Sequence, residues 1–148
     1  EGVVRAVGIT SHQTDTIACG VADVSDDAPL DMRMDNRASL TAEAVVNEYS
    51  EDALLRILRD YGEETFAPSI VRRIVTARQQ GRITTCGELR TIIEASVPAK
   101  YRFSACARKT FQAIRIEVNG ELNGLAECIQ ALTRRLKSGG RGCILAFH

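Results

Sequence analysis

The middle of the chain carries apolar residues at helical spacing. Between residues 41 and 98 they recur at i, i+3, i+4 and i+7, the pattern that gives a helix one buried face. Thr41 and Ser50 are favoured N-cap residues, and Thr85 with Glu88 matches a capping box. The pattern therefore predicts several consecutive helices that begin at these residues.

Glycine and proline positions predict where these helices end or begin. Gly62 is a natural stop, and Pro98 disfavours helix at the residue before it. Pro68 fits only the first turn of a helix, which predicts a start near residue 67. Two later apolar stripes predict helices over Ala107–Asn119 and Glu121–Leu136.

Two short apolar runs at the ends of the chain differ from these stripes. Val3–Ile9 and Cys143–Phe147 are rich in apolar residues and read as buried strands. Residues 10–38 lack periodicity and predict a long loop, which in a compact domain is usually functional. The order strand, loop, helices, strand predicts an α/β fold. The predicted division is a partial core of residues 1–38 and 104–148 with a helical insert of residues 39–103.

Composition limits the class of protein. The chain has 148 residues, 45% of them apolar, and its 19 basic and 19 acidic residues cancel. This is typical of one globular domain. No apolar run approaches the roughly 18 residues of a membrane span. The five cysteines are scattered without a CxxC or a His-Cys cluster, which predicts thiols in a reducing compartment and no metal site.

Basic residues gather in two parts of the sequence, and they allow two interpretations. They could converge into a surface that contacts phosphates, or they could form an ordinary solvated face. The zero net charge favours the second. The residues are Arg72, Arg73, Arg78, Arg82, Lys100, Arg102, Arg108 and Lys109.

The stretch APLDMRMD, residues 28–35, contains both methionines of the chain. In an extended segment Met32 and Met34 would point to one side and pack as flexible gap fillers. Arg33 and Asp35 would then point to solvent or to a site. These residues alone do not decide between the two.

Three motifs carry a resemblance to a known family. They are APLDMRMD, YGEE at residues 61–64 and KTFQAIRIEVNGEL at residues 109–122. In this order they are similar to the ribosomal RNA small subunit methyltransferase H family, also called MraW, which includes mitochondrial members. The tail SGGRGCILAFH resembles the family's glycine turn and following strand. The resemblance extends over residues 29–148 and is fainter over residues 1–27.

The resemblance implies a Rossmann-like fold that binds S-adenosylmethionine and a helical insert that helps to bind RNA. Such proteins methylate the N4 amine of a cytosine in small-subunit ribosomal RNA. It also implies that Asp31, Arg33 and Asp35 either fix their loop or face the substrate. The expected phosphate contacts are Arg72, Arg73, Arg78 and Lys109.

The chain also departs from the family pattern. The family's DGTFGxGGH cofactor loop has no counterpart here, and its LLDLGxSSxQ strand aligns with residues 4–13. Gly8 and Gln13 match cofactor-binding positions, whereas the family's aspartate is Ala6. We therefore expect weak or absent S-adenosylmethionine binding by this chain alone. The favoured expectation is a noncatalytic role as a ribosome-associated or assembly component. One alternative is that the chain is a fragment or half of an active methyltransferase. The other is that it is an unrelated helical interaction module.

The expected partners follow from the same resemblance. They are small-subunit ribosomal RNA or ribosomal proteins, together with a protein chain that covers the edge of the predicted strand at residues 3–9. The expected location is the cytoplasm or the mitochondrial matrix, on the ribosome. No membrane association is expected.

Overall fold

The computed structural model describes residues 26–102 and 107–142. Residues 26–41 form an irregular segment, and helices make up most of the rest. A single 3₁₀ turn, Ala99–Tyr101, follows the fourth α-helix. The α-helices are α1 (Ala42–Glu48), α2 (Glu51–Asp60), α3 (Ala67–Gln80), α4 (Cys86–Ser96), α5 (Arg108–Asn119) and α6 (Leu125–Arg134).

The helix starts follow the local sequence. The Thr41 hydroxyl accepts a hydrogen bond from the backbone N–H of Ala44 at 3.1 Å, and Ser50 caps α2 in the same way. Thr85 and Glu88 form both hydrogen bonds of the capping box at the start of α4. These bonds satisfy backbone donors that a helix start leaves unpaired. The predicted starts of α1, α2 and α4 are confirmed.

The core is built by helices packing on helices. α3 packs against α2 and α4, and α5 packs against α1 and α2. The apolar stripe of each of these five helices is buried in one continuous cluster. The largest fully buried side chains are Leu30, Leu54, Ile57, Leu58, Ile70, Ile74, Leu89, Ile93 and Ile114. α6 differs, because none of its residues is buried and Leu125 and Leu132 are exposed.

The predicted α/β fold, with a partial Rossmann-like methyltransferase core, is wrong for the described part of the chain. Residues 26–102 and 107–142 contain no strand or sheet, only an isolated antiparallel bridge between Pro29 and Thr85. The physical reason is that the apolar stripes of α1 to α5 bury one another, so this core needs no sheet. The two predicted strands, Val3–Ile9 and Cys143–Phe147, lie outside the described residues.

The YGEE motif brings α2 close to α5. A Cβ atom added to Gly62 would lie 2.7 Å from the backbone oxygen of Lys109 and 2.9 Å from that of Leu58. Only glycine allows this approach. Glu64 is buried, and its carboxylate accepts a hydrogen bond from the backbone N–H of Phe66 at 3.0 Å, just before α3. The motif therefore has a structural explanation.

Two further expectations concern membranes and cysteines. Within the described residues, no helix is both long and apolar enough to cross a membrane. Of the two cysteines in the described residues, Cys86 is buried in the core and Cys128 is free. Cys19, Cys106 and Cys143 lie outside the described residues.

Candidate functional site

The DMRMD loop, residues 31–35, is held together by an ion pair. The Arg33 guanidinium donates to both carboxylate oxygens of Asp31, with Nε–Oδ1 at 2.7 Å and Nη2–Oδ2 at 2.8 Å. The backbone N–H of Arg33 also donates to Asp31 Oδ1. Nη1 of Arg33 donates to the carbonyls of Asn36 and Ala38 at 3.1 and 2.8 Å. Arg33 therefore fixes the loop, one of the two roles considered for it.

A second contact joins this loop to α5. Asn119 accepts a hydrogen bond from the backbone N–H of Met34 at 2.7 Å and donates one to the carbonyl of Met32 at 2.9 Å. The same amide donates to the carbonyl of Arg115 at 2.8 Å. Met32 has a φ of 63° and is buried. Sequence reasoning missed Asn119, although it lies in the third quoted motif.

Both methionines pack against the core as predicted, but the segment is not extended at Met32, where φ is 63°. Met32 is 3% exposed and belongs to the core, and Met34 is half-buried against it. The backbone of the loop and of the preceding Leu30 meets two helix starts: Ala42 donates to the Asp31 carbonyl at 2.7 Å, and Leu30 donates to the Thr84 carbonyl at 2.9 Å. The loop is thus attached to α1, α4 and α5 at once.

Asp31 presents a charged acceptor at a fixed place. The hydrogen bond from Arg33 holds the pKa of its carboxyl below the ordinary value, against the opposing effect of burial. Its side chain remains 40% exposed. Asp35 is paired with Arg37 on the surface, and this bond likewise lowers the pKa of Asp35. Both carboxylates are ionised near neutral pH and can accept N–H groups.

The predicted phosphate-contacting residues fall into two groups. Arg72 and Arg73 are exposed on α3, and their side chains make no hydrogen bond or ion pair within the described part of the chain. Arg78 is half-buried and donates to the carbonyls of Val46 and Tyr49 at 3.0 and 2.7 Å, at the end of α1. Lys109 donates to the Glu63 carbonyl at 3.1 Å.

Several other basic residues form ion pairs. Arg82 binds the carboxylates of Glu43 and Glu48, the second at 2.9 Å. Arg115 binds Glu121 at 2.9 Å. α3, in contrast, contains three arginines and no acidic residue. Its exposed face therefore presents positive charge that no carboxylate of the same helix neutralises.

Gly8, Gln13 and Ala6, which bear on cofactor binding, lie outside the described residues. Across residues 26–102 and 107–142, no cluster of three or more His, Cys, Asp or Glu side chains is arranged to hold a metal ion.

Comparison with known proteins decides the family. The family model described as "MraW methylase family" matches residues 1–148. The chain belongs to this family. The resemblance inferred from the DMRMD loop, YGEE and the α5 motif is confirmed.

Curated relatives within the MraW family match the chain from end to end. Ribosomal RNA small subunit methyltransferase H 2 of Agathobacter rectalis is 49% identical over 150 residues, which cover 100% of this chain and 48% of that protein. Ribosomal RNA small subunit methyltransferase H of Lachnospira eligens is 46% identical over 150 residues, 100% of this chain and 47% of the relative. The protein of the same name from Caldicellulosiruptor saccharolyticus is 47% identical over 148 residues, with 100% and 48% covered.

The chain spans about half the length of the curated relatives that it matches. These relatives are bacterial proteins and give no support to a mitochondrial location. Their names identify a methyltransferase and a ribosomal RNA.

Proposed function

We propose that this chain is the RNA-facing part of an S-adenosylmethionine-dependent methyltransferase that modifies a cytosine N4 amine in small-subunit ribosomal RNA. Membership of the MraW family supports the reaction class, and the relatives' names support the RNA. S-adenosylmethionine would supply the methyl group. The chain's own described residues would bind and orient the RNA.

The observation that carries the proposal is the charge of α3. Its exposed face presents Arg72 and Arg73, and the helix has no carboxylate to neutralise them. An RNA backbone offers the opposite charge, and its binding releases counterions. The Arg78 guanidinium already donates to two carbonyls at the end of α1, so we assign Arg78 a structural role and not a phosphate contact. Lys109 donates to the Glu63 carbonyl and has two further ammonium protons for a phosphate.

The DMRMD loop supplies the second element of the proposal. Asp31 is oriented by Arg33 yet 40% exposed, so its carboxylate can accept a hydrogen bond from a substrate amine. An acceptor of this kind is the group expected to read the N4 amine of cytosine. Because Arg33 and Asn119 hold the loop in advance, little ordering would be needed on binding. Asp35 is more exposed than Asp31 and is paired with Arg37, so we place it at the margin of the proposed substrate site.

A second candidate is a noncatalytic role on the ribosome. It is favoured by Ala6, which stands where the family resemblance expects a cofactor-contacting aspartate. In this case the same helical surface binds RNA, and residues 3–9 contact a protein partner. Gly8 and Gln13 would be remnants of the cofactor site. The two candidates share the RNA contact and differ in the use of S-adenosylmethionine and in the protein partner at residues 3–9.

RNA binding is tested with a fluorescein-labelled fragment of small-subunit ribosomal RNA. The expected result is saturable binding by the 148-residue chain, displaced better by the unlabelled fragment than by large-subunit RNA of the same length. Equal displacement by both RNAs would contradict the proposal. Calorimetry with S-adenosylmethionine adds a one-sided test: micromolar binding by the chain alone supports the catalytic candidate and contradicts the noncatalytic role.

A further inference from the structure

Tyr101 is the only exposed aromatic side chain among the described residues, with 44% of its surface accessible. It ends the 3₁₀ turn after α4, where its backbone N–H donates to the Pro98 carbonyl at 2.8 Å. The next residue, Arg102, donates through Nε to the Val97 carbonyl, also at 2.8 Å. The backbone on both sides of Tyr101 is therefore fixed, although the ring is exposed.

The Tyr101 ring has an aromatic support and a cation beside it. The Phe66 ring lies 5.4 Å away between centroids at a 44° angle, and Phe66 itself packs against the core. Nζ of Lys100 lies 4.7 Å from the Tyr101 centroid, a cation–π distance. Lys100 is exposed and makes no ion pair within the described part of the chain, so its ammonium can leave the ring for another anion.

Helical periodicity places Phe66, the N-cap residue of α3, on the same side of that helix as Arg73. Phe66 and Arg73 are seven residues apart, which is about two helical turns and roughly 10 Å along the same side. Ser69, between them, donates to the Ser96 carbonyl at 2.9 Å, so this side faces the end of α4 where the 3₁₀ turn begins. The aromatic pair and the unpaired arginine thus belong to one surface.

We propose that Tyr101, supported by Phe66, is a stacking platform for one unpaired base of the bound RNA. On binding, the Lys100 ammonium moves from the Tyr101 ring to the RNA phosphate next to the stacked base. This inference rests on the proposed RNA-binding function and extends it from phosphate contacts to recognition of an unstacked base. The Tyr101 face offers stacking to any base, and the nearby cations neutralise the backbone that carries it.

An unpaired base is favoured over a duplex for a geometric reason. In an RNA helix both faces of each base are covered by its neighbours, so an aromatic ring on a protein surface can stack only on a base that has left the helix or on a free end. The Pro98–Arg102 turn fixes the Tyr101 backbone and the Phe66 ring supports the Tyr101 ring, which lowers the entropic cost of stacking.

The platform is tested with a short single-stranded RNA that carries 2-aminopurine at one position, and with the same sequence in a duplex. Wild-type protein is expected to quench 2-aminopurine fluorescence in the single strand, because stacking quenches this base. Tyr101→Ala is expected to weaken single-strand binding about five- to hundredfold. Tyr101→Phe is expected to retain binding and quenching, and Tyr101→Leu to lose both, because leucine keeps apolar bulk but has no π face.

Duplex affinity is the internal control, since it is expected to be the same for wild type and Tyr101→Ala. Unchanged single-strand affinity and quenching in Tyr101→Ala, with wild-type binding intact, would overturn the platform and leave the proposed function standing. Retained binding and quenching in Tyr101→Leu would also overturn it. If the wild-type protein binds neither RNA, the proposed function fails and the platform with it. Thermal melting of each variant confirms folding, which is expected because the Tyr101 ring is exposed.

Discussion

Asn119 at the end of α5 accepts a hydrogen bond from the backbone N–H of Met34 at 2.7 Å, across 85 positions of sequence. Its amide nitrogen donates to the Met32 carbonyl at 2.9 Å. One side chain therefore satisfies two backbone groups of the DMRMD loop, as a neighbouring strand would do. This bridge connects the loop that we assign to substrate recognition with the helical core.

Asn119→Ala is expected to destabilise the protein by about 1–3 kcal/mol, because it leaves two backbone groups without partners in a partly buried place. Urea denaturation measures the loss. The control is Asn36→Ala, an exposed asparagine of the same loop region, which is expected to change stability by no more than about 0.5 kcal/mol. Equal denaturation midpoints for the two variants would contradict the role assigned to the bridge.

Gly62→Ala is expected to lower stability by about 1–3 kcal/mol, because its Cβ would lie 2.7 Å from the Lys109 backbone oxygen and force α2 away from α5. Gly81→Ala is the matched control. Gly81 has an extended backbone with φ of 179° and nothing within 4 Å of the added Cβ. It is expected to be neutral or slightly stabilising. Thermal melts that show the same shift for both glycines would count against the close packing at Gly62.

The helix starts were predictable from sequence because their causes are local. Thr41 and Ser50 cap helices through bonds that reach only three residues. The contacts of Asn119 and Arg78 were not predictable, since each joins residues far apart in sequence. The α/β expectation failed because the apolar stripe of α5 is buried by other helices, a choice of partner that periodicity does not specify.

Arg78→Ala is expected to cost about 1–3 kcal/mol of folding stability, because Arg78 satisfies the carbonyls of Val46 and Tyr49 at the end of α1. Arg72→Ala, on the exposed face of the same helix, is expected to stay within about 0.5 kcal/mol of wild type. Chemical denaturation compares the two. If Arg72→Ala lowers the folding stability as much as Arg78→Ala does, the structural role assigned to Arg78 alone would be contradicted.

Asp31→Asn is expected to be destabilising at neutral pH, and its difference from wild type is expected to shrink in acid. The Arg33 bond lowers the pKa of folded Asp31 below the ordinary value of 3.8. The unfolded chain therefore takes up the proton first as the pH falls. The stabilisation is complete above 3.8 and is lost as the pH falls through the lower folded pKa. Denaturation of both proteins is measured at a series of pH values from neutral to strongly acidic. A stability difference between wild type and Asp31→Asn that stays constant over this range would contradict the contribution of the ion pair.

The most direct test of the central claim, that the exposed face of α3 binds ribosomal RNA, is the salt dependence of binding. Wild-type affinity for the small-subunit fragment is plotted against salt concentration on logarithmic axes. The account predicts that the double variant Arg72→Glu with Arg73→Glu binds more weakly, and that its slope is shallower by about 0.7–0.9 for each phosphate that the protein no longer neutralises. The matched control reverses another adjacent exposed pair, Arg134 and Arg135 on and after α6, and is expected to keep the wild-type slope. Unchanged affinity and slope in the α3 variant, or an equally large effect in the α6 variant, would contradict the account.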